Sequence, residues 1–572
     1  MRSGGTAIDG LDLSVAAAWV CGLCAAGLLH TRRAGRSEEE FFAAGRRLPW
    51  WLAGTSIVAT TFAADTPLAI AGLVATEGVW GNWFWWADVL PALIAALWIA
   101  ELWRRSGVLT DPELVERRYA GRRASALRSF RAVYFGVGRN ALVIAWVNLA
   151  MLKVLQLGLG LDASSSALLL AGLFALSAGY TLASGLWGVV VTDAFQFALA
   201  MGGSIVLAVL AVEHAGGLDS LIARVPREHL ALVPQGGDAF WAFLIYLGVQ
   251  SWAAGNTEGS GYVAQRLLAT RSDRDARLAA LWYAVAHFVL RPWPWILVGL
   301  VALVRHPGLD DPESGYVRVL LEDLPSGMRG AMLAALIAAY LSTIDTQLNW
   351  GASYLTRDLW ERFGRRASSE VATERQRVRV ARVSVVLLAA LGALATLSLS
   401  SIVGAWKFLA QISAGLGAVV LARWLWWRVN AWSEIVVMTT SLLASAVLLG
   451  STDVAFPFSL ALVVAITLPV TLAVTLCTAP EPPDKLLAFY RQVRPPGWWG
   501  PVARRAGLAE RRLGLGDGAR VLAGSLGVYG LLLGVGGLLL GSGLRSLLFG
   551  LPGLALLAWV VRGARAAAPQ ED

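Results

Sequence analysis

Apolar runs of roughly twenty residues follow one another along the whole chain, and each is long enough to cross a bilayer as a helix. Polar, arginine-rich stretches separate them. The pattern predicts about fifteen spans, each near bilayer length. They fall at residues 13–30, 50–76, 82–103, 129–156, 165–183, 186–213, 239–256, 278–304, 328–355, 381–399, 401–427, 431–450, 455–477, 519–541 and 544–562. The fold class expected is therefore an all-α polytopic membrane protein. Composition agrees: 56% of residues are hydrophobic and only 15% charged, where a soluble chain carries about 25%.

Departures from apolarity inside the spans are the informative positions, because polar groups in hydrocarbon are costly and usually face a cavity or an ion path. One run, Ala338 to Asn349, holds Ser342, Thr343, Asp345, Gln347 and Asn349. Ala339, Ser342 and Thr343 lie at i, i+3 and i+4, on one helix face. A carbonyl and two hydroxyls there can form half a cage for a small hard cation; a polar packing seam explains them equally well. A second run, Thr55 to Pro67, is interrupted at Asp65 and Pro67. Proline removes a backbone donor and clashes with the carbonyl four residues back, that of Ala63. A helix broken at mid-membrane leaves carbonyls free for ions and solutes.

Other intramembrane polar groups are Asp88, Asp193 with Gln196, Asn256 with Glu258, Arg291, Lys407 and Gln411. Asp193 either lines an intracellular exit path, pairs with a loop arginine or caps backbone amides. Glycines at 255, 259 and 261 disfavour a regular helix around Asn256. Arg291 either pairs with a carboxylate or meets an anionic solute group.

Charge orients the spans. An N-terminus outside and a C-terminus inside put roughly 37 of the 48 Lys and Arg in inside loops, as the positive-inside rule requires. The net charge of +9 is thereby a topology signal rather than a nucleic-acid surface. Asp9 and Asp12 precede the first apolar run, so it is expected as a retained helix instead of a cleaved signal. Cys21 and Cys24 form a C-x-x-C inside that run, where packing explains them better than metal or redox chemistry. The sequence contains no G-x-x-x-x-G-K-[ST] loop, which argues against direct ATP drive. Residues 479–515, with prolines at 480, 482, 483, 495 and 496 among others, are expected as a cytoplasmic linker.

The chain resembles the sodium:solute symporter family. The matching pieces are Ser37–Arg47, Gly185–Gln196 with Thr192 and Asp193, Gln265–Ala269, and Ala338–Asn349 followed by Thr356–Asp358. The resemblance implies a leucine-transporter-type 5+5 inverted repeat, with repeats at 50–213 and 239–427. One extra helix, within residues 1–35, would precede them. Two peripheral helices (431–478) and two C-terminal helices (519–562) would follow. It also implies a Na⁺ site from the carbonyls of Ala59, Phe62 and Ala339 and the hydroxyls of Ser342 and Thr343. The proline branch has an Asp where Thr61 stands here. The sugar branch has a Glu and a Gln where Trp85 and Thr66 stand, which argues against a sugar.

The function expected is Na⁺-coupled symport of a small polar organic solute across the cytoplasmic membrane, with H⁺ coupling left open. Asp65 and Asp88 favour an amino acid or another amine. The lipid bilayer and the solute are the partners expected, with no nucleic acid and no obligatory protein partner. The alternatives are an intramembrane enzyme built on Ser260 and His287, or a transporter-like sensor. The first lacks an identifiable oxyanion loop, and the second an output domain.

Overall fold

The computed structural model describes residues 8–28, 44–108, 110–253, 257–259, 261–364, 374–451 and 454–566. These residues are helical throughout, apart from turns and two isolated bridges, Leu48 with Thr270 and Trp426 with Trp498. Among the described residues, ten helices are long and apolar enough to cross a membrane, or twelve when two bent pairs each count as one span, which does not confirm the count of fifteen. The helix at Gly10–Leu28 contributes only a short apolar stretch, Gly10–Gly22. The arm Ala163–Ser177 is also short, and Gly237–Ala253 stops before residues outside the described set.

The helices that build the site are α1 (Gly10–Leu28), α2 (Trp50–Thr60), α3 (Asp65–Glu77), α4 (Val79–Ser106), α5 (Gly121–Leu159) and α6 (Ala163–His214). After them come α7 (Gly237–Ala253), α8 (Tyr262–Leu268), α9 (Asp273–Arg305) and α10 (Met328–Ser353). The chain ends with α11 (Glu374–Thr396), α12 (Ile402–Ile412), α13 (Leu416–Leu425), α14 (Ala431–Ser451), α15 (Phe458–Cys477), α16 (Pro483–Val493), α17 (Leu515–Leu539) and α18 (Gly543–Ala566).

The helices α2 and α3 form one bent pair, at 60°. The break lies at Thr61–Ala64, ahead of the Asp65–Pro67 position expected. Pro67 explains the shift: a residue without an N–H is tolerated in a helix's first turn, so the chain restarts its helix at Asp65. The second bent pair, α12 and α13 at 49°, was expected as one straight span. Gly415 enters the left-handed region there with φ +83°, which costs glycine little.

The sequence places a turn between residues 183 and 186, yet helical backbone runs unbroken through the 52 residues of α6. A straight run would hold Ser177 and Asp193 about 24 Å apart. Both instead touch neighbouring residues of α10: Ser177 donates to the Leu341 carbonyl and to Asp345, and Ser342 donates to Asp193. The two arms of α6 therefore share one stretch of α10, and the run between them is not straight.

Burial divides the helices by environment. On α11, Val383, Val386 and Leu394 are exposed, as are Leu443 and Val447 on α14 and Leu544 to Leu554 on α18; these apolar faces suit lipid. The core of α2, α3, α9 and α10 is buried. α1 docks on α10 through Asp12, which accepts from the amides of Gly327 (2.7 Å) and Gly330 (2.8 Å). A Cβ at Gly330 would stand 2.2 Å from the Asp12 carbonyl, so only glycine permits this approach.

The expected linker at 479–515 is packed. Phe489, Tyr490 and Trp499 are buried, and Trp499 donates to the Trp424 carbonyl at 2.7 Å. Its prolines sit at the edges of short helices, where proline fits. The hairpin α17–α18 closes through glycines at 527, 530, 534, 550 and 553 that bring the two backbones together, a close-packed membrane pairing.

Candidate functional site

The break in α2–α3 sits against a cavity of about 260 Å³. Thr60, Thr61, Asp65 and Thr66 line it from the broken helix, Trp85 and Asp88 from α4, and Thr343, Gln347 and Trp350 from α10. Further aromatic walls come from Trp146, Tyr262, Tyr283, His287 and Trp406. Three carboxylates (Asp65, Asp88 and Asp111) and one guanidinium (Arg139) line it among the described residues. Asp111 is already engaged, by the Tyr354 hydroxyl and by Arg131 at 3.7 Å.

Asp65 opens α3, where the helix's partial positive end favours a carboxylate. It is 4% exposed, and its Oδ1 has no hydrogen-bond partner. Buried polar atoms in native proteins nearly always have partners, so this oxygen is suited to an incoming donor. Asp88 is held by Gln250, which donates to it at 3.3 Å. Trp85 meets His287 edge-on at 5.3 Å and stacks on Phe288.

The residues implied as cation ligands are all buried: Ala59, Phe62, Ala339, Ser342 and Thr343. Ala59 lies at the C-terminal end of α2, whose carbonyls carry partial negative charge. Phe62 lies in the break, and its N–H donates to the Ala59 carbonyl at 2.9 Å. Across from them, Thr343 donates to the Ala339 carbonyl (3.0 Å) and Ser342 donates to Asp193 (2.9 Å). Both hydroxyl protons are thus directed into the protein, which leaves the oxygen lone pairs for a cation. The donor set, carbonyls and hydroxyls, is the one a small hard cation prefers.

Asp193 joins the two sides. Its carboxylate is fully buried and accepts from Ser56 on α2 at 2.6 Å as well as from Ser342 on α10. Arg266 of α8 stands 3.8 Å from it and donates to the Ser56 and Thr60 hydroxyls, both at 3.2 Å. Asp193 lies away from the cavity lining and acts as the clasp between the halves. Arg266 was visible only as part of a motif; no local signal marked it as the charge that meets Asp193.

Arg291 does not face the cavity. Its guanidinium donates to the Thr61 carbonyl (2.8 Å), the Thr61 hydroxyl (2.7 Å) and the Val58 carbonyl (3.3 Å). It caps the end of α2, satisfying carbonyls that a broken helix leaves without partners. Lys407 pairs with Glu77 at 3.2 Å, and Gln411 accepts from Ser459 at 3.3 Å. Asn256 and Ser260 lie outside the described residues; Thr257 and Glu258 between them are buried. His287 Nδ1 contacts Arg291 and Thr61.

A broken helix, an oxygen-rich face opposite it and a cavity between them are the parts of an ion-coupled transporter. The family model for the sodium:solute symporter family matches residues 41–438. The chain belongs to that family. It is a multi-pass membrane transporter that couples Na⁺ to a small-molecule solute, not an enzyme. It is 25% identical to sodium/glucose cotransporter 4 of Danio rerio, over 86% of this chain and 81% of the relative. It is also 25% identical to the sodium/glucose cotransporter of Vibrio parahaemolyticus, over 76% of this chain and 84% of that protein. Human sodium/myo-inositol cotransporter 2 is 26% identical over 66% of this chain and 59% of the relative. A solved Na⁺-coupled sialic acid symporter, substrate-bound and outward-open, shares the fold. It has TM-score 0.68 at 19% identity and covers 83% of this chain and 99% of that one.

Proposed function

We propose that this symporter carries a small polar solute bearing a positively charged nitrogen, an amino acid or another amine, and that Asp65 holds that nitrogen. The carrying observation is the buried Oδ1 of Asp65, without a partner in an aromatic-walled cavity. A cation over tryptophan and tyrosine faces gains about 0.5–2 kcal/mol, and a desolvated carboxylate adds a charge-assisted hydrogen bond. Asp88, Thr66 and Trp85 belong to the same wall.

Sodium sits, in this proposal, between the carbonyls of Ala59 and Phe62 and the oxygens of Ala339, Ser342 and Thr343. The inward-directed protons of Ser342 and Thr343 support it. Na⁺ then favours the conformation in which α2 and α10 are drawn together; its differential affinity for two conformations couples the solute to Na⁺, whose downhill entry drives uptake. A 5+5 inverted repeat is supported by the interruption that opens each half, Thr61–Ala64 in the first and the turn at residues 257–259 in the second. The arginine-rich loops support a cytoplasmic-membrane location with the N-terminus outside and the C-terminus inside.

A second reading, a neutral sugar or polyol, is favoured by the names of the glucose and myo-inositol relatives. Uptake into proteoliposomes separates the two. Na⁺ and H⁺ gradients are imposed separately, with amino acids, other amines, glucose and myo-inositol as labelled solutes. The amine reading expects Na⁺-driven uptake of an amine whose KM Asp65→Asn raises by about 10–100-fold. Na⁺-driven glucose or inositol uptake that survives Asp65→Asn overturns it.

A further inference from the structure

A cavity of about 140 Å³ lies between the transporter core and the α17–α18 hairpin, away from the solute site. Its walls are apolar: Leu93 of α4, Leu281 and Trp282 of α9, Val528 of α17, and Leu557 and Val561 of α18. One charged side chain, Arg565, stands in its lining. Leu557, Val561 and Arg565 follow at i, i+4 and i+8, so one face of α18 presents two apolar walls and then a guanidinium. Arg565 is exposed, and no hydrogen bond or ion pair engages it among the described residues.

The hairpin does not close over this crevice by chance contact. Trp293 of α9 donates to the Leu532 carbonyl at 3.1 Å, and the Tyr529 hydroxyl donates to the Trp86 carbonyl at 2.9 Å. These bonds fix the hairpin against the core while the crevice nearer Arg565 stays open. Other arginines at that end of the bundle carry acidic partners, Arg105 with Asp273 and Arg520 with Asp517. α9 begins there, where Arg104 donates to the Arg271 carbonyl. Arg520 of α17 lies beside Gly563 of α18, near the same end.

We infer that this crevice binds one anionic phospholipid, with an acyl chain between α9 and α18 and the phosphate on Arg565. The walls offer nothing to a free phosphate ion. A zwitterionic lipid would place its own cation beside Arg565, whereas an anionic head group meets a guanidinium with no ion-pair partner among the described residues. Basic sites between membrane helices bind lipid phosphates on this principle, and arginine presents a forked donor that matches phosphate.

The test uses the full-length transporter purified in detergent. Lipid retention is read by native mass spectrometry after incubation with phosphatidylglycerol or phosphatidylcholine of identical acyl chains, with inorganic phosphate as a third arm. The expected result is one retained phosphatidylglycerol at least ten-fold over phosphatidylcholine, and no effect of phosphate. Arg565→Gln removes the preference while leaving the unfolding temperature in phosphatidylcholine unchanged, because the residue is exposed. Val561→Trp fills the crevice and lowers retention of both lipids. Equal retention of the two lipids by the unmodified protein, or an unchanged preference in Arg565→Gln, overturns the proposal.

Discussion

The carboxylate of Asp193 accepts a hydrogen bond from the hydroxyl of Ser342 at 2.9 Å, across the interface between α6 and α10. The same carboxylate accepts from Ser56 on the broken helix. One acidic side chain therefore aims a hydroxyl of the proposed Na⁺ site and ties that hydroxyl to the opposite half of the site. Asp193→Asn keeps the shape but leaves Arg266 buried without its counter-charge. Removing one partner of a buried pair typically costs about 3–5 kcal/mol, and the 3.8 Å separation here puts this pair at the lower end. The expected outcome is a lower unfolding temperature in detergent and a Na⁺ half-saturation raised at least ten-fold. Adding Arg266→Gln restores part of the stability and none of the Na⁺ affinity. Full Na⁺ affinity in Asp193→Asn would show that Ser342 needs no aiming.

Ser342 and Thr343 carry a separate prediction. Their protons bond inside the protein, so alanine at either position deletes an oxygen that faces outward and a bond that faces inward. Each single variant should raise the Na⁺ half-saturation of uptake about ten-fold, close to 1.4 kcal/mol, with solute affinity at saturating Na⁺ little changed. Ser353→Ala, about three turns beyond the site and bonded to the Trp350 carbonyl, should leave the Na⁺ dependence untouched. Uptake by Ser342→Ala and Thr343→Ala with unchanged Na⁺ dependence would remove both residues from the site.

Much of this arrangement was legible from residues that break a local rule. Asp65, Asp193 and the Ser342–Thr343 pair stood out because polar groups in an apolar helix need a partner or a cavity. Pro67 announced the break but not its position, since proline fixes where a helix can restart and not where the preceding one ends. The bend at Gly415 was missed because a single glycine in an apolar run does not reveal its φ. Arg291 was readable as buried and charged. Two of its partners, the Thr61 and Val58 carbonyls, are backbone atoms that carry no sequence signature. The same limit hid the packing of residues 479–515, whose prolines suggested a loose connection while Phe489, Tyr490 and Trp499 were seeking the core.

Asp65 offers the sharpest contrast between binding and folding. Its Oδ1 has no partner among the described residues, so Asp65→Asn removes a buried charge without breaking a bond at that oxygen. Stability should stay equal or rise. Transport should suffer: loss of a desolvated charge contact with the solute predicts a KM raised by about 10–100-fold, or 1.4–2.7 kcal/mol. Thermal unfolding and concentration-dependent uptake, measured on the same preparation, check both halves. A destabilised Asp65→Asn protein with normal KM would make Asp65 a structural residue.

The remaining prediction concerns charge that the solute never meets. Arg423 of α13 is fully buried between Glu258, at 2.6 Å, and Glu434 of α14, at 3.3 Å. Glu434 is also met by Arg131 at 2.6 Å and by the Tyr119 hydroxyl. This network fastens α14 to α5 and to the bent pair α12–α13. Glu434→Gln leaves Arg423 with Glu258 alone and Arg131 with only the longer 3.7 Å contact to Asp111. Stability should fall by about 3–5 kcal/mol, the cost of uncompensated buried charge, far more than an exposed pair such as Arg512–Glu510 contributes. Because the network stands apart from Ser342 and Asp65, the protein that does fold should keep its Na⁺ half-saturation and KM and lose only yield and unfolding temperature. An altered Na⁺ dependence in Glu434→Gln would instead mean that α14 moves with the transport cycle and that its charges are part of the conformational change.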